Sequence, residues 1–302
     1  MPTVLSQLAS GARVAVIRLR SLGDCVLTTP AIALLKRQRP DLAIAVVVEP
    51  QFAAVFEGNP DIAAILPPGL VSLRRFRPAL AINFHGGTRS LWLTLLSGAR
   101  HRAGFAHHRF SGIYTSAIPR AQQILGVDRK VHTAEHLASA MFHLGVGQRE
   151  IPRARLFAQP ATGDRPRAVL HPFASSPEKA WPVERFLELA RHIESHWGLD
   201  AVFIGGPADD FSPLAGFAHH RGSIEETKRL LAAAALFVGN DSGPAHMAAA
   251  FGLPQVVLFA SSDPVVWAPW KTPAETILAA GGMEKLTVSG VVEALERLRV
   301  PS

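Results

Sequence analysis

The stretch that most constrains this chain runs from Leu236 to Pro264, L-F-V-G-N-D-S-G-P-A-H-M-A-A-A-F-G-L-P-Q-V-V-L-F-A-S-S-D-P. Apolar runs at Leu236–Gly239 and Gln255–Ala260 have the length of buried strands. The Ala, Met and Phe residues between them fit the apolar side of a helix that stops at Gly252-Leu253-Pro254. The unit predicted is strand, helix, strand, with the strands parallel. At the junction stands Asn240-Asp241-Ser242-Gly243-Pro244. Asp241 or Ser242 can cap the helix, Gly243 lets another group approach the backbone, and Pro244 suits the first turn. A helix start with free N–H groups draws anions, so a phosphate cradle is expected here, at the C-terminal edge of a parallel sheet.

The same alternation fills the rest of the chain. Strands are expected at Val14–Leu19, Ala43–Glu49, Ile62–Leu66, Leu80–Phe84 and Arg102–Phe105, and helices at Thr88–Leu96 and Thr133–Leu144. An earlier helix begins either at Asp24 or only at Thr29-Pro30, since Pro30 can be a kink or a first-turn proline. From Gly145 to Arg167 the chain is rich in Gly, Pro, Arg and Gln without periodicity, as a linker would be. The pattern then restarts, with strands at Ala168–His171, Ala201–Gly205 and Thr276–Ala279 and helices at Val183–Trp197, Ile224–Ala235 and Val291–Arg299. Two α/β domains, 1–152 and 153–302, each a doubly wound parallel sheet, are expected, with a large ligand in an interdomain cleft. At 302 residues, 48% of them hydrophobic, the chain can bury two cores.

A single cysteine, Cys25, rules out an internal disulfide and fits a reducing compartment. No apolar run reaches the roughly 18 residues of a membrane span, and Met1–Ser10 does not read as a signal peptide, so a cytoplasmic protein is expected. The net charge of +7 and the arginines concentrated in the first half call for an anionic partner. Nucleic acid, a phospholipid surface and a phosphorylated substrate all qualify on charge alone. The aromatic-rich basic strand face of single-strand binders is missing, which argues against nucleic acid.

Candidate chemistry falls at three places. Asp24, beside Gly23 just past the first strand, can act as a general base or cap the helix that follows. The loop His171–Pro182 offers Ser175, Ser176 and Lys179, the donors a diphosphate needs, while Trp181-Pro182 reads as a helix staple. His246, in the first turns of the cradle helix, is either a packed core histidine or a ligand contact. Other patterns weigh less. His132-Thr133-Ala134-Glu135-His136 matches a zinc-binding pattern, but the chain around it is accounted for by two Rossmann-like halves, so His132 and His136 are read as surface or interdomain contacts. Arg20-Ser21-Leu22-Gly23-Asp24 has one glycine where the dinucleotide fingerprint needs three, against a dehydrogenase. Asp241-Ser242-Gly243 is not a hydrolase elbow. The alternative from another class is a non-catalytic basic protein that binds anions or a membrane surface.

Gly23-Asp24 followed by Thr28-Thr29-Pro30-Ala31, S-S-x-x-K-x-W-P at Ser175–Pro182, and N-D-S-G-P-A-H-x-A-A-A-x-G-x-P at Asn240–Pro254 together resemble the heptosyltransferase family, glycosyltransferase family nine. The likeness covers essentially the whole chain. It implies a GT-B architecture of two Rossmann-like domains and inverting transfer of heptose from ADP-heptose to the inner core of lipopolysaccharide. A GT-B transferase using another nucleotide sugar is the nearest alternative. By the resemblance Asp24 is the base, while Ser175, Ser176 and Lys179 contact the nucleotide sugar. Asp241, Ser242, Gly243 and His246 line the donor pocket, and the Asp209-Asp210 pair is expected to include a ribose or adenine contact. Arg20 departs from the small or hydroxylic residue usual in the family, which bears on acceptor choice. No Asp-x-Asp pair is evident, so no metal or other cofactor is expected, with Lys179 and the helix start meeting the charge of the departing ADP. An anionic lipid-linked saccharide is the expected acceptor, with peripheral contact at the inner membrane surface. Arg20, Arg74, Arg75, Arg77, Arg89, Arg100, Arg102 and Arg109 are expected to attract its carboxylates and phosphates.

Overall fold

The strands form where β-branched and small apolar residues run without interruption, because a strand in the middle of a parallel sheet is covered on both faces. Val14, Ala15, Val16 and Ile17 are all buried, as are Ile44, Ala45, Val46 and Val47. The structure, a computed structural model, describes residues 2–163 and 165–298. It divides into a unit ending at Arg155 and a unit beginning at Leu156.

The first unit holds β1 (Arg13–Ile17), α1 (Leu22–Gln38), β2 (Ala43–Val47), β3 (Ala64–Leu66), α2 (Leu70–Phe76), β4 (Leu80–Asn83) and α3 (Thr88–Leu96). It continues with β5 (His101–Phe105), β6 (Ser116–Ile118), α4 (Ala121–Leu125) and α5 (Thr133–Leu144). The second holds β7 (Arg167–His171), α6 (Val183–Trp197), β8 (Asp200–Gly205), β9 (Ala218–Arg221), α7 (Ile224–Ala232) and β10 (Ala234–Asn240). It ends with α8 (Gly243–Phe251), β11 (Gln255–Phe259), α9 (Pro264–Trp267), β12 (Ala274–Leu278) and α10 (Val288–Arg297).

Each unit carries six strands, ordered β3-β2-β1-β4-β5-β6 in the first and β12-β11-β10-β7-β8-β9 in the second. All pairings are parallel. Counted from the start of its own unit, each sheet therefore has the order 3-2-1-4-5-6, the Rossmann winding. In such a sheet the chain leaves the first and fourth strands toward opposite faces, which opens a crevice at their C-terminal ends. The two crevices lie at β1 beside β4 and at β7 beside β10, the expected doubly wound α/β class.

The opening of α1 was left between two positions by sequence, and the structure starts it at Leu22 and carries it through Pro30. Proline has no N–H to give the carbonyl four residues back. Thr29 Oγ1 donates to that carbonyl, Val26 O, at 2.8 Å, and the helix runs on.

The edge strands β6 and β9 and the short helices α2 and α4 have no clear apolar period and were not legible. α7 stops at Ala232 rather than Ala235. The Ala-rich run favours helix locally, but the burial of Leu236, Phe237 and Val238 in the sheet draws the strand back to Ala234. Of the last predicted helix, Arg299 lies outside the described residues. Among the described residues no helix is long and apolar enough to cross a membrane.

Candidate functional site

At the first crevice the chain leaves β1 through Arg18-Leu19-Arg20-Ser21 and turns into α1. Asp24 stands in the first turn, but its carboxylate does not cap the helix. Arg18 Nη1 lies 3.3 Å from Asp24 Oδ1, and Ser21 Oγ donates to Oδ2 at 3.1 Å. The Arg18 side chain is 8% exposed and that of Asp24 24%, so the cation is built into the fold while the carboxylate still meets solvent. Burial works against the Arg18 charge, and Asp24 is the main group that favours it. Gly23 and Cys25 are buried beside it. Burial pushes the Cys25 thiol up to about 12, so it stays protonated and unreactive.

The second crevice is fastened by Asn240, the last residue of β10 and fully buried. Its Nδ2 donates to Pro172 O at 2.8 Å and its Oδ1 accepts the Trp181 N–H at 3.0 Å, pinning both ends of the loop between them. Trp181 is the staple expected from sequence. Its ring packs edge-on to Phe186 in the first turns of α6 at 4.8 Å, and its indole N–H reaches Leu286 O at 2.8 Å. The pinned loop lines a cavity of about 510 Å³ with Phe173, Ser175, Ser176, Asp209 and Asp210.

Ser242 occupies the N-cap of α8, yet its hydroxyl makes no cap bond. It is paired with His171 Nδ1 at 3.1 Å. Burial pushes His171 down to about 4, so this partner is neutral. The start of α8 at Gly243 thus keeps its positive end without a side chain closing it. Asp241, next to it, is pushed upward by burial, while a hydrogen bond from Ser262 and the field of Lys179 pull it back. The fold therefore brings Lys179, Asp241, Ser242 and Gly243 to one strand-to-helix junction, with Ser175 and Ser176 on the adjoining loop. His246 is buried on α8, its ring 6.3 Å from that of Trp267; like Lys179, Asp241, Ser242 and Gly243, it stands outside the lining of the 510 Å³ cavity. Of the acidic pair, Asp209 accepts the Gly206 N–H at 2.7 Å and Asp210 accepts Ser212 N–H and Oγ at 2.9 and 2.7 Å. Those bonds from Ser212 hold Asp210 below the usual carboxylate range.

Several expectations change. His132 is not a surface contact; it is buried and opens α5, its Nδ1 accepting the Ala134 N–H at 3.0 Å. Glu135 completes the capping box on the His132 N–H at 2.9 Å and holds Arg129 bidentately. His132 Nδ1 and the Glu135 carboxylate are thereby committed to the start of α5. Among the basic residues expected to meet an acceptor, Arg74 bonds Leu96 O, Arg89 is engaged with Glu49 and Pro68 O, and Arg102 holds Ile113 O and Ala99 O. Sequence reasoning missed Arg18 and Asn240. The signal for Arg18 is a cation set between Ile17 and Leu19 at the end of an apolar run; for Asn240 nothing local distinguishes it from a turn residue.

Residues 72–289 match the family described as glycosyltransferase family 9 (heptosyltransferase). Lipopolysaccharide heptosyltransferase 3 of Escherichia coli K12 is 26% identical over 311 residues, covering 89% of this chain and 88% of that protein. A glycosyltransferase family 9 structure from Veillonella parvula superposes with a TM-score of 0.83 at 22% identity, over 96% of this chain and 98% of that one. An E. coli heptosyltransferase solved with ADP-2-deoxy-2-fluoro heptose superposes with a TM-score of 0.78 at 20% identity, over 94% and 99%.

Proposed function

The chain belongs to glycosyltransferase family 9 and is a glycosyltransferase of GT-B fold, and from that premise we propose that it moves heptose from ADP-heptose to the inner core of lipopolysaccharide, inverting the anomeric carbon. The observation that carries this reading is the junction at α8. There a cation, Lys179, whose field acts on Asp241, and an uncapped helix start at Gly243 offer positive charge suited to a sugar diphosphate, and Asp241 is read as the acceptor for sugar hydroxyls. The relatives support the choice of donor and acceptor class, since one is named for lipopolysaccharide and another was solved with an ADP-heptose analogue.

In the reaction proposed, the first unit holds the acceptor and the second the donor. Asp24 takes the proton of the acceptor hydroxyl as its oxygen bonds the anomeric carbon from the face opposite ADP. The bond to the diphosphate oxygen breaks, and Lys179 with the α8 start meets the charge left on ADP. Arg18 and Ser21 keep the Asp24 carboxylate oriented, which leaves less reorganisation for the transition state. Ser175 and Ser176 bind the nucleotide from the loop that Asn240 fastens. No resident metal or organic cofactor is assigned a role. The acceptor is an anionic lipid-linked saccharide met at the cytoplasmic face of the inner membrane.

A thermal-shift panel of ADP-, UDP-, GDP- and dTDP-sugars tests the donor. Stabilisation by ADP-heptose, followed by a heptosylated core product, is expected. Stabilisation by a different nucleotide sugar alone would replace the donor, and none by any would strike the reading of the α8 junction as the donor site.

A further inference from the structure

Four histidines gather at the C-terminal edge of the first sheet, and the mechanism above uses none of them. His85 follows β4, His107 and His108 follow β5, and His136 lies in the first turn of α5. The His107 ring centre is 5.1 Å from that of His108 and 5.6 Å from that of His136, and His136 stacks on Phe105 at 4.0 Å. Two glycines make the space. A Cβ on Gly86 would fall 2.5 Å from His108 Nε2, and one on Gly104 would fall 2.3 Å from the Tyr114 ring. Tyr114 Oη in turn accepts from Asn83 Nδ2 at 3.1 Å and lies 3.3 Å from His108 Nδ1. The backbone is shaped around these rings, yet His107 is exposed and His85, His108 and His136 are only half-buried, so a ligand can reach them.

The surrounding charge is mainly positive. His85 faces Arg18, Arg20 and Asp24; His108 faces His107, His136, Arg18 and His85; His136 faces His107 and Arg18; and His107 faces Arg120. The one carboxylate in that set, Asp24, is already paired with Arg18. Burial first, then neighbouring positive charge, keeps the rings neutral, with His108 and His136 each pushed down to about 4. An oxyanion placed among them supplies the missing negative charge and makes protonated imidazoles the better donors. A cation is not suited to the place, since no three His, Cys, Asp or Glu side chains among the described residues could hold a metal ion.

We propose that His85, His107, His108 and His136, backed by Arg18, form a proton-linked oxyanion subsite that receives a phosphate or carboxylate of the acceptor saccharide. The proposal rests on reading the first unit as the acceptor side. Binding moves a proton from solvent to a ring nitrogen and breaks no bond in the ligand.

The test is histidine-ring NMR on the full chain, titrated from about pH 4 to about pH 8 without and with sodium sulfate, which keeps its charge over that range. Trifluoroacetate, likewise always ionised, stands in for the carboxylate arm. The His108 and His136 midpoints are expected to rise by at least about one pH unit, equivalent to about tenfold tighter binding to the protonated form. A response to sulfate alone assigns a phosphate, and one to trifluoroacetate alone a carboxylate. The double substitution His108→Asn with His136→Asn should weaken sulfate binding at the remaining rings at least about fivefold, on the order of 1 kcal/mol. Midpoints unmoved by either anion overturn the subsite, and the wild-type titration decides this even where the double variant fails to fold. No nucleotide sugar is present, so failure of ADP-heptose to stabilise the protein is a separate result that strikes the donor reading and not the rings.

Discussion

Arg18, nearly closed off from water, is the residue on which the first crevice turns, because it holds the partly exposed carboxylate of Asp24, the base in the reaction proposed above. Asp24→Asn keeps the size and a hydrogen-bond acceptor but removes the proposed base. It should lower kcat about 10²- to 10⁴-fold while ADP-sugar affinity stays within about twofold, measured by initial rates and by titration; a rate within a fewfold of wild type would remove Asp24 from the mechanism. Asn240→Ala should destabilise the second unit by about 1–3 kcal/mol in urea unfolding, because it leaves the Trp181 N–H and Pro172 carbonyl buried without partners, and should weaken donor binding with it. Asn83 does the corresponding work in the first sheet. It is the last residue of β4, and its Oδ1 accepts the His85 and Gly86 N–H groups at 3.0 and 3.1 Å. Asp24, Lys179 and the Asp241–Gly243 turn were legible because their chemistry sits in short local patterns. Arg18, Asn83, Asn240 and the histidine rings were not, because each acts on atoms brought near only by the sheet.

At the scale of elements, α3, α5 and α6 carry the boundaries expected from their apolar period and flanking residues, whereas α1 shows why a proline is an uncertain stop signal. Its continuity depends on Thr29, whose hydroxyl replaces the missing N–H and also accepts the Arg155 N–H at 3.1 Å. Thr29→Val should therefore cost about 1–3 kcal/mol in chemical unfolding. The loss should be smaller in a Pro30→Ala background, where a backbone N–H can reach Val26 O. Equal losses in the two backgrounds would show that the threonine does not act through the helix ladder. The edge strands escaped notice for the opposite reason. β9 reads A-H-H-R with no buried residue, so pairing with β8 rather than an apolar pattern makes it a strand.

For the whole molecule, buried neutral histidines set an acid limit. Burial pushes His171, His108 and His136 down from the ordinary 6.5 to about 4 in the fold, so above about pH 6.5 they cost nothing. As pH falls from there toward about 4, the unfolded chain takes up protons that the fold refuses, and stability declines. His171 is the most enclosed and should contribute up to about 1.4 kcal/mol per pH unit in that window. His171→Gln should flatten the pH dependence of urea unfolding between about pH 6.5 and about pH 4; an unchanged slope would assign the acid limit elsewhere. The repeated winding of the two sheets has a further effect, on how the chain acquires its fold during synthesis. β1 meets β2 early, but its other neighbour, β4, begins only at Leu80, and β7 likewise waits for β10 at Ala234. The centre of each sheet therefore forms late, across a long intervening segment, and the apolar edge of β1 or β7 is open to other chains until then. Slow growth at low temperature, or a chaperone that shelters extended apolar segments, should raise the yield of folded protein more than any substitution on its surface.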